Sequence, residues 1–317
     1  MKISLYSSVA FKHPFGLKRA IEIAQSLGYD SVDVRGMSLD VPVIEERHIN
    51  AVGYDMIGPG TLDSAGIEGL KKTLQETGIG LSGISCYNAL TLPEGELAED
   101  SMRRMREMID FAAELRIPWM RLIGYSEKPF KGIELERNYA KRLFARRIRE
   151  LCVYAQPLHV GILLENGENC IPNSSRDTLD VAEMVAHENL GIVYDVYNAL
   201  FEGLDPIEEL KLLRGRISCI HVKNARVQAA VGSEYTPKGG SSGFVWTLLN
   251  DGDVDYRSIF EELMSQRFDG TIVCEYANPY KGMSRSFWEN MPDPYIWAKD
   301  AKEFLDNYVK EYSKKTG

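Results

Sequence analysis

GILLE, residues 161–165, is a short apolar run that ends on a carboxylate, Glu165. Three more stretches repeat the form: GIVYD (191–195) ends on Asp195, ISCIH (217–221) on His221 and TIVCE (271–275) on Glu275. Apolar runs of this length, rich in branched residues, read as strands buried on both faces. A charge buried at the end of such a strand is costly unless it is paired. Any one of the four is explained by a strand-end cap or a loop cation. Four in series point to one shared ion, and three carboxylates with an imidazole suit a divalent Mn, Mg, Co, Fe or Zn centre.

Working outward, strand-like and helix-like stretches alternate along the whole chain. KISLY (2–6) precedes LKRAIEIAQSLG (17–28), an amphipathic pattern stopped by Gly28. SVDVRG (31–36), a helix over 64–77 stopped by Gly78, and GLSGISC (80–86) follow. A helix over 96–116 leads to WMRLIG (119–124), and one over about 134–156 leads to GILLE. SSRDTLDVAEMVAHENLG (174–191) joins GILLE to GIVYD, and a helix from Pro206 leads to RISCIHV (216–222). YRSIFEELMSQRFDG (256–270) leads to TIVCEY, and a last helix over 293–312 ends the pattern.

These are eight βα units, which predict a single closed (β/α)8 TIM barrel domain over 1–317 rather than a doubly wound sheet. A barrel carries its active site at the carboxyl ends of its strands, where the four polar residues fall. The chain exceeds the usual barrel of about 250 residues. The surplus follows the second strand (36–61), the seventh (223–255) and the eighth (276–291), loops expected to shape the mouth. PKGGSSGF (237–244) reads as the hinge of a lid.

Of the 317 residues, 44% are hydrophobic and 26% charged, enough for a large core. No apolar run is long enough to span a membrane, and the start, MKISLYSSVAFKHPF, has no signal-peptide segment, so the expected location is cytoplasmic. Five cysteines without a CxxC spacing fit a reducing compartment and give no thiolate zinc site. A net charge of −9 argues against a nucleic-acid partner.

LLENGEN (163–169), YDVYNAL (194–200), HVKNAR (221–226), NDGDVDY (250–256) and CEY (274–276) together resemble the xylose isomerase-like barrel superfamily. It contains sugar isomerases, epimerases and inosose dehydratases related to tagatose 3-epimerase. The resemblance implies that Glu165, Asp195, His221 and Glu275 hold one divalent ion, with Glu165 and Glu275 also serving as the acid/base pair. Mn, Mg or Co is expected, with Fe or Zn as alternatives. It further implies a small carbohydrate substrate and a homo-oligomer, dimer or tetramer. The expected reaction is isomerisation or epimerisation of a keto sugar or related polyol through a metal-stabilised enediolate.

A lyase on the same scaffold stays open: an inosose or dehydroshikimate dehydratase, or β-elimination of an oxidised glycoside. An endonuclease IV-like reading needs a histidine-rich three-metal centre that the chain lacks, and a non-catalytic barrel is opposed by the intact ligand set.

Two positions depart from the pattern. Asn198 stands where relatives commonly have His, and Asn224 where they often have Asp or Glu. An amide hydrogen-bonds a sugar hydroxyl but does not exchange protons like imidazole. Asn198, Lys223, Arg226, His13 and Trp246 are candidate substrate contacts, though a rim salt bridge explains Lys223, an exposed loop position His13, and plain packing Trp246, equally well or better. Arg121 reads as a partner of Glu165, and Arg35 as either a substrate-anion contact or a further partner of Glu165 and its neighbours. Tyr6, Tyr87 and Asn88 end the first and third strands.

Overall fold

A computed structural model describes residues 1–37, 54–124, 136–168, 170–229, 242–276 and 292–316. The strands are β1 (Lys2–Tyr6), β2 (Ser31–Gly36), β3 (Met56–Ile57), β4 (Gly80–Tyr87), β5 (Trp119–Ile123), β6 (Gly161–Glu165), β7 (Leu190–Asp195), β8 (Ile217–Val222), β9 (Ala225–Ala229), β10 (Ser242–Trp246) and β11 (Thr271–Cys274). The helices are α1 (Gly16–Leu27), α2 (Ser64–Thr77), α3 (Glu96–Glu114), α4 (Arg137–Ala155), α5 (Ser175–Val185), α6 (Val196–Phe201), α7 (Pro206–Leu212), α8 (Tyr256–Ser265) and α9 (Pro294–Thr316).

Eight strands form the barrel. All pair in parallel in the circular order β1, β2, β4, β5, β6, β7, β8, β11, and β11 closes on β1 through Lys2↔Thr271 to Leu5↔Cys274. The short β3 extends the carboxyl end of β2. The expected (β/α)8 barrel is therefore the fold of this chain.

Local chemistry places the helices. Asp63, Glu136, Ser174 and Asp255 each accept backbone N–H groups at the start of α2, α4, α5 and α8, satisfying donors that the first turn leaves free. Gly28 ends α1 at φ 75°, a left-handed conformation that glycine adopts without a Cβ penalty. The main core lies between the strands and the helical ring, with Ile21, Ile84, Met108, Phe144, Ile162, Tyr194 and Ile259 among its buried members. A second, smaller core of Tyr6, Leu163, Val193, Cys219 and Val273 fills the barrel interior.

β3, β9, β10 and α6 lie where a loop was expected. β9 and β10 form an antiparallel hairpin from Ala225↔Trp246 to Ala229↔Ser242. Residues 242–244 thus belong to a strand rather than to a hinge, and the rest of the PKGGSSGF lid, 237–241, lies outside the described residues. The six-residue α6 follows β7 directly, before the helix expected from Pro206. Most of the mouth segments after β2 and β11 also lie outside the described residues, at 38–53 and 277–291.

Candidate metal centre

Parallel register sets the site. Residues paired across a parallel ladder point to the same face, and Asp195 pairs with His221 across β7 and β8. Glu165 closes β6 beside them, and Glu275 follows β11 directly, its N–H donating to the carbonyl of Val222 at 3.0 Å. Each of the four offers one ligand atom, and these atoms all lie within 4.8 Å of one another. All four side chains are buried.

Hydrogen bonds and ion pairs cross-link the cluster. His221 Nδ1 and Glu275 Oε2 are 2.8 Å apart. Lys223 Nζ donates to Asp195 Oδ2 at 2.8 Å and to Glu275 Oε1 at 3.1 Å. Asp195 also caps α6, its Oδ1 accepting the N–H of Asn198 at 3.0 Å. Asn166 clamps the end of β7, accepting the N–H of Asp195 at 2.8 Å and donating to its carbonyl at 3.0 Å. Arg121 Nη1 donates to Glu165 Oε2, and its Nη2 donates to Tyr6 Oη at 2.9 Å. Two side-chain cations thus face three carboxylates.

The electrostatics separate the two glutamates. Burial pushes the Glu165 carboxyl up to about 7, against the pull of Arg121 and His221. Burial acts on Glu275 in the same direction, but Lys223 and the His221 hydrogen bond outweigh it and hold that carboxyl well below the usual range. Lys223 is itself raised: burial lowers it, and the charges of Asp195 and Glu275 more than compensate.

The donor set fits a divalent ion. Among the described residues Glu165 Oε1 is buried without a hydrogen-bond partner, 4.0 Å from His221 Nδ1, so an acceptor oxygen is left over beside the ring. His221 Nδ1 is the ring nitrogen turned to Glu275 Oε2 at 2.8 Å and Glu165 Oε1 at 4.0 Å, so with the ring proton on Nε2 it is Nδ1 that would present its lone pair to an ion. Bonds of about 2.0–2.2 Å would hold ligands within roughly 4.4 Å of one another, so the cluster needs only a slight contraction.

The other candidates divide. Asn198 is buried near Asp195, its Nδ2 donating to the carbonyl of Asn166 at 2.9 Å while its Oδ1 has no partner. Trp246 is buried against the Tyr197 ring at 4.8 Å, and its Nε1 likewise has no partner among the described residues. Lys223 lies against Asp195 and Glu275 and 5.7 Å from the centre of the Tyr197 ring. Arg226, by contrast, is exposed and ion-paired with Asp251. His13 is exposed, its Nδ1 accepting the N–H of Phe15 at 3.2 Å.

Arg121 does pair with Glu165, while Arg35 forms a buried ion pair with Asp55 at 2.9 Å. Asn224, read as a possible sugar contact, is spent on the fold: its amide makes four hydrogen bonds, to Leu249, Val254 (two) and Ala225. Asn88 likewise donates to the carbonyl of Ile123 at 2.8 Å. Sequence reasoning overlooked Asn166, whose only signal is its place directly after Glu165, and the inward-facing Asp33 and Ser85.

Known proteins show the same architecture. Inosose dehydratase from Geobacillus kaustophilus (strain HTA426) is 26% identical over 291 residues, covering 89% of this chain and 84% of that protein. An L-ribulose 3-epimerase structure superposes with a TM-score of 0.72 at 15% identity, covering 99% of this chain and 96% of the other. The structure of the IOLI protein with a bound zinc atom superposes with a TM-score of 0.70 at 16% identity, covering 98% and 99%. The xylose isomerase-like TIM barrel family matches residues 21–308, and the chain belongs to that family.

Proposed function

We propose that the protein is a divalent-metal-dependent enzyme that removes a proton from the carbon beside a carbonyl of a keto sugar or related polyol, and returns it as an isomerase or epimerase. The observation that carries this reading is the convergence of Glu165, Asp195, His221 and Glu275 in a buried cluster, with Glu165 Oε1 left unpartnered among the described residues. These four residues would hold the ion. When bound, it would supply fixed positive charge to the oxygen that becomes negative as the proton leaves.

The chain's own groups supply the rest. Glu275, kept ionised by Lys223 and His221, is suited to accept the proton, and Glu165, ionised when it holds the ion, to serve as the second acid/base group. Asn198 Oδ1 and Trp246 Nε1 offer an acceptor and a donor for hydroxyls, and the Tyr197 and Trp246 rings form an apolar wall. One histidine in the cluster supports a single-ion site over a histidine-rich three-metal centre.

Elimination is the second reading. Lys223 Nζ, 2.8 Å from Asp195 and 3.1 Å from Glu275, is a charged donor placed where it can protonate a departing hydroxyl. The likeness to inosose dehydratase favours it too. Incubation of Mn-loaded protein in D2O with keto sugars and inososes, followed by NMR, tests both. Loss of the proton signal beside the carbonyl, absent with Glu275→Gln, is expected, and the product spectrum separates epimer, isomer and dehydrated product. No exchange across the panel with metal bound would sink the reading.

A further inference from the structure

The inner wall of the barrel is divided. Beneath the ligands on β6, β7, β8 and β11 lie apolar side chains: Leu163, Val193, Cys219 and Val273. The facing wall, on β1, β2, β4 and β5, carries Ser4, Asp33, Ser85 and Arg121, all buried, with Ser82 half-buried. Asp33 is the group on this wall that the proposed chemistry leaves unused. It makes no ion pair among the described residues, and its carboxylate accepts only two long hydrogen bonds, from Ser82 Oγ at 3.3 Å and Ser85 Oγ at 3.4 Å. A carboxylate buried in this way is costly.

The backbone nonetheless makes room for it in two ways. The pairing of β2 with β4 shifts register between Val32 and Asp33, so that Leu81 and Gly83 are the partners and Ser82 is the extra residue. Because of that bulge Ser82 and Ser85, three positions apart, both reach the same carboxylate, which a regular two-residue alternation would forbid. A Cβ on Gly83 would also lie 2.5 Å from Asp33 Oδ2, so only glycine leaves the carboxylate in place. A bulge, a glycine and two serines around one unpaired carboxylate exceed what packing requires.

The connection runs upward through Ser85. Its hydroxyl has a single hydrogen, which it gives to Asp33, and its oxygen accepts the Nε–H of Arg121 at 2.8 Å. That bond fixes one edge of the guanidinium, and Tyr6 Oη takes Nη2 at 2.9 Å. The third nitrogen is then aimed at Glu165 Oε2, which leaves Oε1 free and facing the cluster, 4.0 Å from His221 Nδ1. We propose that Asp33 is a positioning residue for Glu165: acting through the Ser85 hydroxyl, it locks the Arg121 guanidinium so that Glu165 presents a single oxygen, Oε1, to the metal centre. The catalytic consequence rests on the role of Glu165 given above, whereas the locking of Arg121 does not.

The test is the 1H–15N resonance of the Arg121 Nε–H, assigned by its absence in Arg121→Lys, together with Mn titration and steady-state kinetics. Three variants perturb the chain differently. Asp33→Asn removes the charge at nearly constant shape, Ser85→Ala removes the link, and Gly83→Ala leaves both in place but displaces the carboxylate. Expected for each is at least tenfold faster solvent exchange of that Nε–H, several-fold weaker Mn binding, and a kcat at least tenfold lower with KM within about twofold. A purely structural role would lower the unfolding midpoint without moving the Arg121 signal.

The proposal is overturned if Asp33→Asn and Gly83→Ala keep the Arg121 Nε–H as protected as in the unaltered protein. Should Asp33→Asn not fold, Gly83→Ala decides by the same signal. Absence of turnover in the unaltered protein would count against the proposed function, while the Arg121 signal would still decide the positioning.

Discussion

Replacing Arg121 with Met removes a buried guanidinium from between Glu165, Tyr6 and Ser85 while keeping an unbranched apolar stem. The cost depends on the charge of Glu165. With that carboxyl ionised, removing one partner of a buried pair costs about 3–5 kcal/mol. With it protonated, the loss is chiefly the hydrogen bonds to Tyr6 Oη and Ser85 Oγ, at about 1 kcal/mol each, or roughly 2 kcal/mol.

Burial already raises Glu165 to about 7 with Arg121 present, and the variant loses the largest opposing pull, so its carboxyl rises further. A carboxyl raised on folding contributes stability below its unfolded value that is lost as pH climbs through the folded value. In Arg121→Met the neutral form persists to higher pH, so that loss continues above pH 7, where in the original protein it has ended. The original protein, however, ionises Glu165 into an ion pair the variant cannot offer. The gap between the two proteins therefore widens above pH 7 at about 1.4 kcal/mol per pH unit.

Urea unfolding in EDTA at pH 6 and pH 8.5 reads this directly. The expected destabilisation is about 2 kcal/mol at pH 6 and about 4 kcal/mol at pH 8.5. A gap that is equal at both pH values, or below about 1 kcal/mol at pH 8.5, would refute the argument that Arg121 compensates the Glu165 charge.

Lys223→Met removes a cation bonded to Asp195 and Glu275, so the metal-free protein should lose about 3 kcal/mol in chemical denaturation while Mn binds more tightly in calorimetry. Mn affinity should fall about tenfold per pH unit below pH 7, because Glu165 must release its proton to bind, and proton release measured in two buffers checks it. Glu165→Gln and Glu275→Gln should each cut turnover by about 10²–10⁴-fold or more with unchanged circular dichroism. Asn224→Ala, which strands four backbone groups, should lower stability by about 2–4 kcal/mol in urea titration without changing Mn affinity.

Much of this molecule is written locally. KISLY, SVDVRG and GILLE coincide with β1, β2 and β6 because each is bounded by residues that cannot extend the strand or that begin the next turn. The convergence of Glu165, Asp195, His221 and Glu275 was legible for a related reason, since a charge closing an apolar strand has few solutions in a barrel. The β9–β10 hairpin was not, because ARVQA and SGFVW become strands only by pairing with each other, and Gly and Ser alone suggest mobility.

α6 escaped notice because six residues carry little periodicity, and because its cap is Asp195, a residue read for its charge rather than its hydrogen bond. The polar inner wall was hidden most deeply. Asp33 alternates with Val32 and Val34 as any strand residue might. Only the bulge opposite it brings Ser82 and Ser85 to the same carboxylate. Asn224 looked like a substrate contact from its neighbours in sequence, and three-dimensional register turned it into a brace between β8 and the segment entering α8.

The claim on which the rest depends is that Glu165, Asp195, His221 and Glu275 hold one divalent ion. Anomalous diffraction at the manganese edge, from crystals grown with stoichiometric Mn, tests it most directly. The account predicts one peak per chain within bonding distance of all four side chains, with Lys223 withdrawn from at least one of its two carboxylates. A peak elsewhere, or none at a concentration that saturates binding in solution, would contradict it.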